Sequence, residues 1–90
     1  MRFAGKTIVV TGSGRDKGLG QAILQRFADE GANCVVSDYE IGDAAQAVAK
    51  ELSDRGAPVA TIACDVSSAA QCQALVQSAV DAFGSIDIFV

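Results

Sequence analysis

Histidine is absent from the 90 residues, and the three cysteines, Cys34, Cys64 and Cys72, are odd in number and lack close-paired spacing. Neither a disulfide framework nor a zinc set is suggested, and reduced, buried thiols fit best. No apolar run nears the length of a membrane span, and Arg2 leads into a short strand rather than a signal-peptide core. A soluble, cytoplasmic protein without a membrane partner is therefore expected. Cations are scarce too: seven Lys and Arg against eleven Asp and Glu leave a net charge of -4, no footprint for nucleic acid. The length leaves no room for a second domain, so residues 1–90 are read as one unit of marginal stability that buries about 60–65% of its unfolded surface.

What the chain does contain is strongly ordered. Half of its residues are hydrophobic and a fifth are charged, an ordinary globular balance. Four short apolar runs, at 6–11, 33–38, 58–65 and 86–90, have the unbroken character of parallel strands covered on both faces. Helical spacing fills the gaps: Leu19, Ile23 and Phe27 mark one stripe, and Ile41, Ala44 or Ala45, Val48 and Leu52 another. The third stripe, Cys72, Leu75, Val76, Ala79, Val80 and Phe83, is the cleanest. Gly31, Gly56 and Gly84 stand where left-handed C-caps belong, and Ser67 or Ser68 can cap the third helix. This alternation predicts an α/β protein with a doubly wound parallel sheet, strand order 3-2-1-4 and a crevice at the carboxyl ends of strands one and four.

The stretch "VTGSGRDKGLGQAI", residues 10–23, places four glycines at the handover from strand one to helix one, inside the one basic region of the chain. Glycine costs roughly 1 kcal/mol against alanine in regular structure, so a cluster this dense suggests a task. A helix amino terminus with unpaired amides and half a positive charge can hold a pyrophosphate that approaches closely over glycines. The usual dinucleotide fingerprint fails, because Lys17 stands where its last glycine should be, and no Gly-Lys-Ser or Gly-Lys-Thr follows. The bland alternative is a flexible turn. Asp38, ending the second strand about 20 residues beyond the glycines, stands where a carboxylate can take the adenosine ribose; otherwise it is a turn or capping residue.

"AGKTIVVTG", "FADEGANCVVSD", "CDVSS" and "FGSIDIFV", in that order, resemble the short-chain dehydrogenase/reductase family along the whole chain. The family pattern Thr-Gly-x-x-x-Gly-x-Gly is matched by Thr11-Gly12 and Gly18-Leu19-Gly20, with five residues between them, two more than the pattern. The resemblance implies the amino-terminal part of a Rossmann-like domain, in which Gly12, Gly18 and Gly20 shape the pyrophosphate loop and Asp38 takes the ribose. It also implies that Asp65 reaches the adenine amino group beside the Val66 backbone. Ser13, Gly14, Leu19, Tyr39 and Cys64 complete the expected cofactor-binding set, together with Arg15 and Lys17, either of which is free to face phosphate if residues 13–17 bulge outward. The other arrangement gives the Thr-Gly role to Ser13-Gly14. A loop of this length is also similar to the enoyl-reductase branch of the family, which lacks the Asp38 feature.

Between the two nicotinamide dinucleotides, NAD is preferred to NADP. A 2'-phosphate about 4 Å from Asp38 would be repelled by about 1 kcal/mol in water and about 4 at the dielectric of a protein surface. Lys17 works in the opposite direction. The family implies an oxidoreductase acting on a small carbonyl or alcohol substrate, yet no catalytic residue can be assigned: Tyr39 is the only tyrosine, with Asp43 rather than Lys four residues on. The 90 residues alone are expected to be inactive. An exposed edge strand and a broad apolar third helix predict a homo-oligomer or other self-association. A dinucleotide-binding module without catalysis, or a structural fragment, is the alternative.

Overall fold

The computed structural model describes residues 2–14 and 18–90. Their elements run β1 (Thr7–Val10), α1 (Leu19–Asp29), β2 (Asn33–Asp38), α2 (Asp43–Asp54), β3 (Val59–Ala63), α3 (Ala69–Phe83) and β4 (Ile88–Phe89). All pairings are parallel and the order is β3-β2-β1-β4, as the alternation of elements predicts for a Rossmann-like sheet. Register sets Val10 beside Val36 and Asp38 beside Ala63, so the first three strands finish along one edge. β2 matches its apolar run, whereas β1, β3 and β4 are shorter than theirs because the ladder ends before the side-chain pattern does.

Side chains alternate across the sheet, and each set finds its own helices. Ile8, Val10, Cys34 and Val36 pack with Leu24 and Ala28 of α1 and with Ala45, Val48 and Leu52 of α2. Val9 and Val35 face the other way, onto Leu75 and Ala79 of α3. The α2 stripe thus faces inward through Ala45 rather than Ala44. In α1 the stripe is rotated from its expected position: Gln21, Leu24 and Ala28 are buried, whereas Leu19 is 79% exposed. α3 buries a narrower band than its sequence offers, leaving Val76 and Val80 exposed.

The ends follow the expected chemistry. Gly31, Gly56 and Gly84 take φ values of 90°, 93° and 88°, a region open to glycine and costly for other residues. Ser68 is the cap of α3, its Oγ accepting from the Gln71 amide at 3.3 Å. Among the described residues, no helix is long and apolar enough to cross a membrane.

Candidate functional site

Because β1 stops at Val10, the next residues must satisfy the exposed strand ends, and they do so in two directions. The Thr11 amide and Oγ1 both donate to the Val90 carbonyl, at 3.0 and 2.9 Å. Gly12, at φ 70°, then turns the backbone toward β2. Ser13 is buried there: its amide donates to the Ser37 carbonyl at 2.9 Å, and its Oγ donates to the Val10 carbonyl at 2.6 Å while accepting from the Ser37 amide at 3.0 Å. One hydroxyl thus serves backbone groups of two parallel strands that their ladder leaves over.

For Ser13 and Gly14 this corrects the expectation of an outward bulge. Ser13 and Gly14 turn inward, since burying them satisfies β1 and β2 together; Arg15 and Lys17 lie outside the described residues. Gly14 is pressed against Asp38, and a Cβ on it would meet the Asp38 Cβ at 2.9 Å and the Ala45 Cβ at 3.1 Å. Gly20 is in the same position on the helix side, where an added Cβ would come within 2.8 Å of the Ser13 Cα. Two of the four glycines are therefore packing surfaces, which lets α1 and β2 close around Ser13.

Asp38 is fixed by the same packing. Its Oδ2 accepts from the Gly14 amide at 3.1 Å and its Oδ1 from the Tyr39 amide at 2.8 Å. Each carboxylate oxygen has two acceptor sites, so both retain capacity for a further donor. A cavity of about 240 Å³ opens beside it, walled by Thr11, Gly12, Asp38, Tyr39, Cys64, Asp65 and Val66. A second hollow of about 350 Å³ lies across the Thr11–Gly12 turn, against Gly18, Leu19, Gly20, Ile23 and Val90. The amino end of α1 opens here, and its N-cap Gly18 brings no side-chain oxygen to the first-turn amides.

The far wall of the first cavity is built locally. Asp65 Oδ1 accepts from the Ser67 amide at 2.9 Å and from Ser67 Oγ at 2.6 Å. The Ser67 side chain and then its backbone amide hold the Asp65 carboxyl below the usual carboxylate range. Cys64 continues the β2–β3 pairing through its amide, which donates to the Asp38 carbonyl at 2.8 Å. Burial pushes its thiol upward, helped by the Cys72 thiol.

Of the residues expected from sequence, Asp38, Tyr39, Cys64, Asp65 and Val66 converge on the first cavity, Gly18, Leu19 and Gly20 on the second, and Gly12 on both. Ser13 and Gly14 support the wall from behind. Val10, Thr11, Ile23 and Val90 were missed as lining residues; the position of Thr11 at the end of the first apolar run was a usable signal. A larger hollow of about 410 Å³ between α2 and β3 contains none of the expected residues.

The parallel sheet in the order β3-β2-β1-β4, with a glycine turn on one side of its carboxyl-edge crevice and an acidic strand end on the other, defines a Rossmann-like α/β protein. The family model described as short chain dehydrogenase matches residues 6–90, and the chain belongs to the short-chain dehydrogenase family. It is 37% identical over 88 residues to 3beta-hydroxysteroid dehydrogenase 2 of Eggerthella lenta, covering 98% of this chain and 33% of that protein. It is 33% identical over 87 residues to the NADP-dependent mannitol dehydrogenase of Alternaria alternata, covering 96% of this chain and 33% of the relative. A short-chain dehydrogenase/reductase from Burkholderia phymatum, solved in complex with NAD, superposes with a TM-score of 0.88 at 36% identity, over 99% of this chain and 31% of that one. The chain spans about a third of the length of the curated relatives it matches.

Proposed function

We propose that the chain holds the adenosine and pyrophosphate of a nicotinamide dinucleotide, as the cofactor-binding part of an oxidoreductase that moves hydride between that cofactor and a small carbonyl or alcohol. The observation that carries this reading is Asp38, fixed by two backbone amides at the wall of a cavity that begins at the Gly12 turn. The residues fit the group chemically. Asp38 has acceptor capacity for the ribose hydroxyls, Asp65 and the Val66 backbone border the space for an adenine, and the start of α1 offers amides to a diphosphate. When bound, the nicotinamide supplies the hydride; the protein binds and orients.

The rigid clamp on Asp38 also supports NAD over NADP, because a 2'-phosphate would meet a carboxylate that its amide partners hold in place. Relatives carry both labels, one NADP-dependent by name and one solved with NAD. With no Tyr-x-x-x-Lys in the 90 residues, the chain by itself binds and does not turn over. The exposed Val76 and Val80 of α3 support self-association. Fluorescence titration with NADH and NADPH tests the reading. NADH should bind at least about tenfold more tightly, and Asp38→Ser should narrow or invert the ratio; equal affinities in the unsubstituted chain refute it.

A further inference from the structure

We propose that Cys64 and Cys72 form an oxidation site: hydrogen peroxide converts the two thiols to a disulfide, and this bond reshapes residues 65–68 and weakens dinucleotide binding. The second half of the proposal rests on the reading above; the first stands on the thiols alone.

The two side chains share one cluster on the α3 face of the sheet. Cys64 follows the last residue of β3 and Cys72 lies in the first turns of α3, so the loop at 65–68 spans the distance between them. The Cys72 side chain packs against the cluster that holds Cys64, and its Sγ donates to the Val66 carbonyl at 3.5 Å, two residues past Cys64; the Cys72 thiol also adds to the upward shift of the Cys64 thiol. Closing to the bonded sulfur separation of about 2.0 Å then takes a shift of the loop at 65–68 that joins the two residues. Cys34 does not compete, because it is buried on the opposite face of the sheet, where desolvation pushes its thiol up to about 11.

Exposure assigns the order of events. Cys72 is partly exposed and Cys64 is 3% exposed, so peroxide meets Cys72 first. The Cys72 thiolate attacks one peroxide oxygen, the O–O bond breaks, and the departing hydroxide takes a proton and leaves as water, giving a sulfenic acid. The Cys64 sulfur then attacks the Cys72 sulfur, the S–O bond breaks, and the hydroxide leaves as a second water with the Cys64 proton. Two thiols and one peroxide yield one disulfide and two waters; the sulfurs are oxidised and the peroxide oxygens are reduced.

The link to the cavity is direct, since Cys64, Asp65 and Val66 form its far wall. Oxidation removes the thiol proton that the Val66 carbonyl accepts and draws the start of α3 toward β3. The wall beyond Cys64 can respond because its bonds from Ser67 to Asp65 and from the Asp65 amide to Gln71 Oε1 lie within residues 65–71, while the Cys64 amide stays paired to the Asp38 carbonyl.

The test treats the purified chain with hydrogen peroxide, alkylates remaining thiols in denaturant and digests with trypsin. Cleavage after Arg55 leaves Cys64 and Cys72 together in peptide 56–90, apart from Cys34. Peptide 56–90 should lose two hydrogens and take no alkyl group, while Cys34 is alkylated. NADH titration should show affinity at least tenfold weaker after oxidation and restored by dithiothreitol. Cys72→Ser should abolish both responses. Oxidation of single thiols only, linkage through Cys34, or a disulfide that leaves NADH affinity unchanged overturns the proposal. Should the reduced chain bind no NADH, the dinucleotide reading fails by itself. The disulfide is then judged by the peptide mass and by faster amide hydrogen exchange at residues 65–68 in the oxidised chain, with unchanged exchange overturning the reshaping.

Discussion

Two loops meet at the crevice and are held in opposite ways. The one after β1 is anchored to a neighbouring strand: Ser13 bonds β1 and β2 at once, Gly14 donates to Asp38, and Gly20 presses on Ser13. The one after β3 is anchored mainly within itself, through Asp65, Ser67 and the Ser68 cap of α3. Residues 11–14 therefore cannot move without disturbing the sheet, whereas the second loop can shift while the sheet stays paired. That division assigns the fixed wall to Asp38 and the adjustable wall to Asp65 and Val66.

The comparison breaks most visibly at the glycines. Gly20→Ala sets a methyl 2.8 Å from a backbone atom, and Gly14→Ala sets one 2.9 Å from the Asp38 Cβ. Each should destabilise by about 1–3 kcal/mol, as overpacking does. Urea denaturation should show the lowered midpoint, and NADH affinity should fall with it; a midpoint matching the unsubstituted chain would mean the loop is not tightly packed.

A comparable loss is expected from Ser13→Ala. It strands the buried Ser37 amide and removes the donor to the Val10 carbonyl, a cost of about 1–3 kcal/mol. The matching change in the other loop, Ser68→Ala, removes a helix cap worth about 1 kcal/mol. Under the same denaturation, Ser13→Ala should fall further than Ser68→Ala; the reverse order would erase the distinction between the loops.

The smallest effect is a pH dependence. The Asp65 carboxyl is held low in the folded chain, so its stabilising contribution is complete above the ordinary carboxylate value of 3.8 and is lost as pH falls through the folded value. Asp65→Asn should flatten that part of the acid limb in a stability-against-pH series, with little change near neutrality. An unaltered acid limb would show that the Ser67 bonds do not hold the carboxylate.

The strand order was legible because each apolar run is short and each gap has helical spacing, a pattern with few parallel-sheet solutions. Asp38 was legible for a related reason: a carboxylate at the end of a central strand must lie at the carboxyl edge. Ser13 was not. Nothing local marks a serine between two glycines as buried, and the reason for its burial lies 24 residues away in the Ser37 backbone. Leu19 misled in the opposite sense, since its helical spacing fits a core stripe while its place in the first turn of α1 leaves it at the rim of the second hollow. Val76 and Val80 follow the third apolar stripe, yet α3 meets its own sheet through Leu75 and Ala79.

The central claim is that an adenine dinucleotide occupies the crevice between these two loops. Amide chemical shifts of the ¹⁵N-labelled chain, followed as NADH is added, test it most directly. The account predicts saturable shifts at Gly12, Gly14, Asp38, Tyr39, Asp65 and Val66, with little change along α2. Shifts gathered instead at the hollow between α2 and β3, or none at saturating NADH, would contradict it.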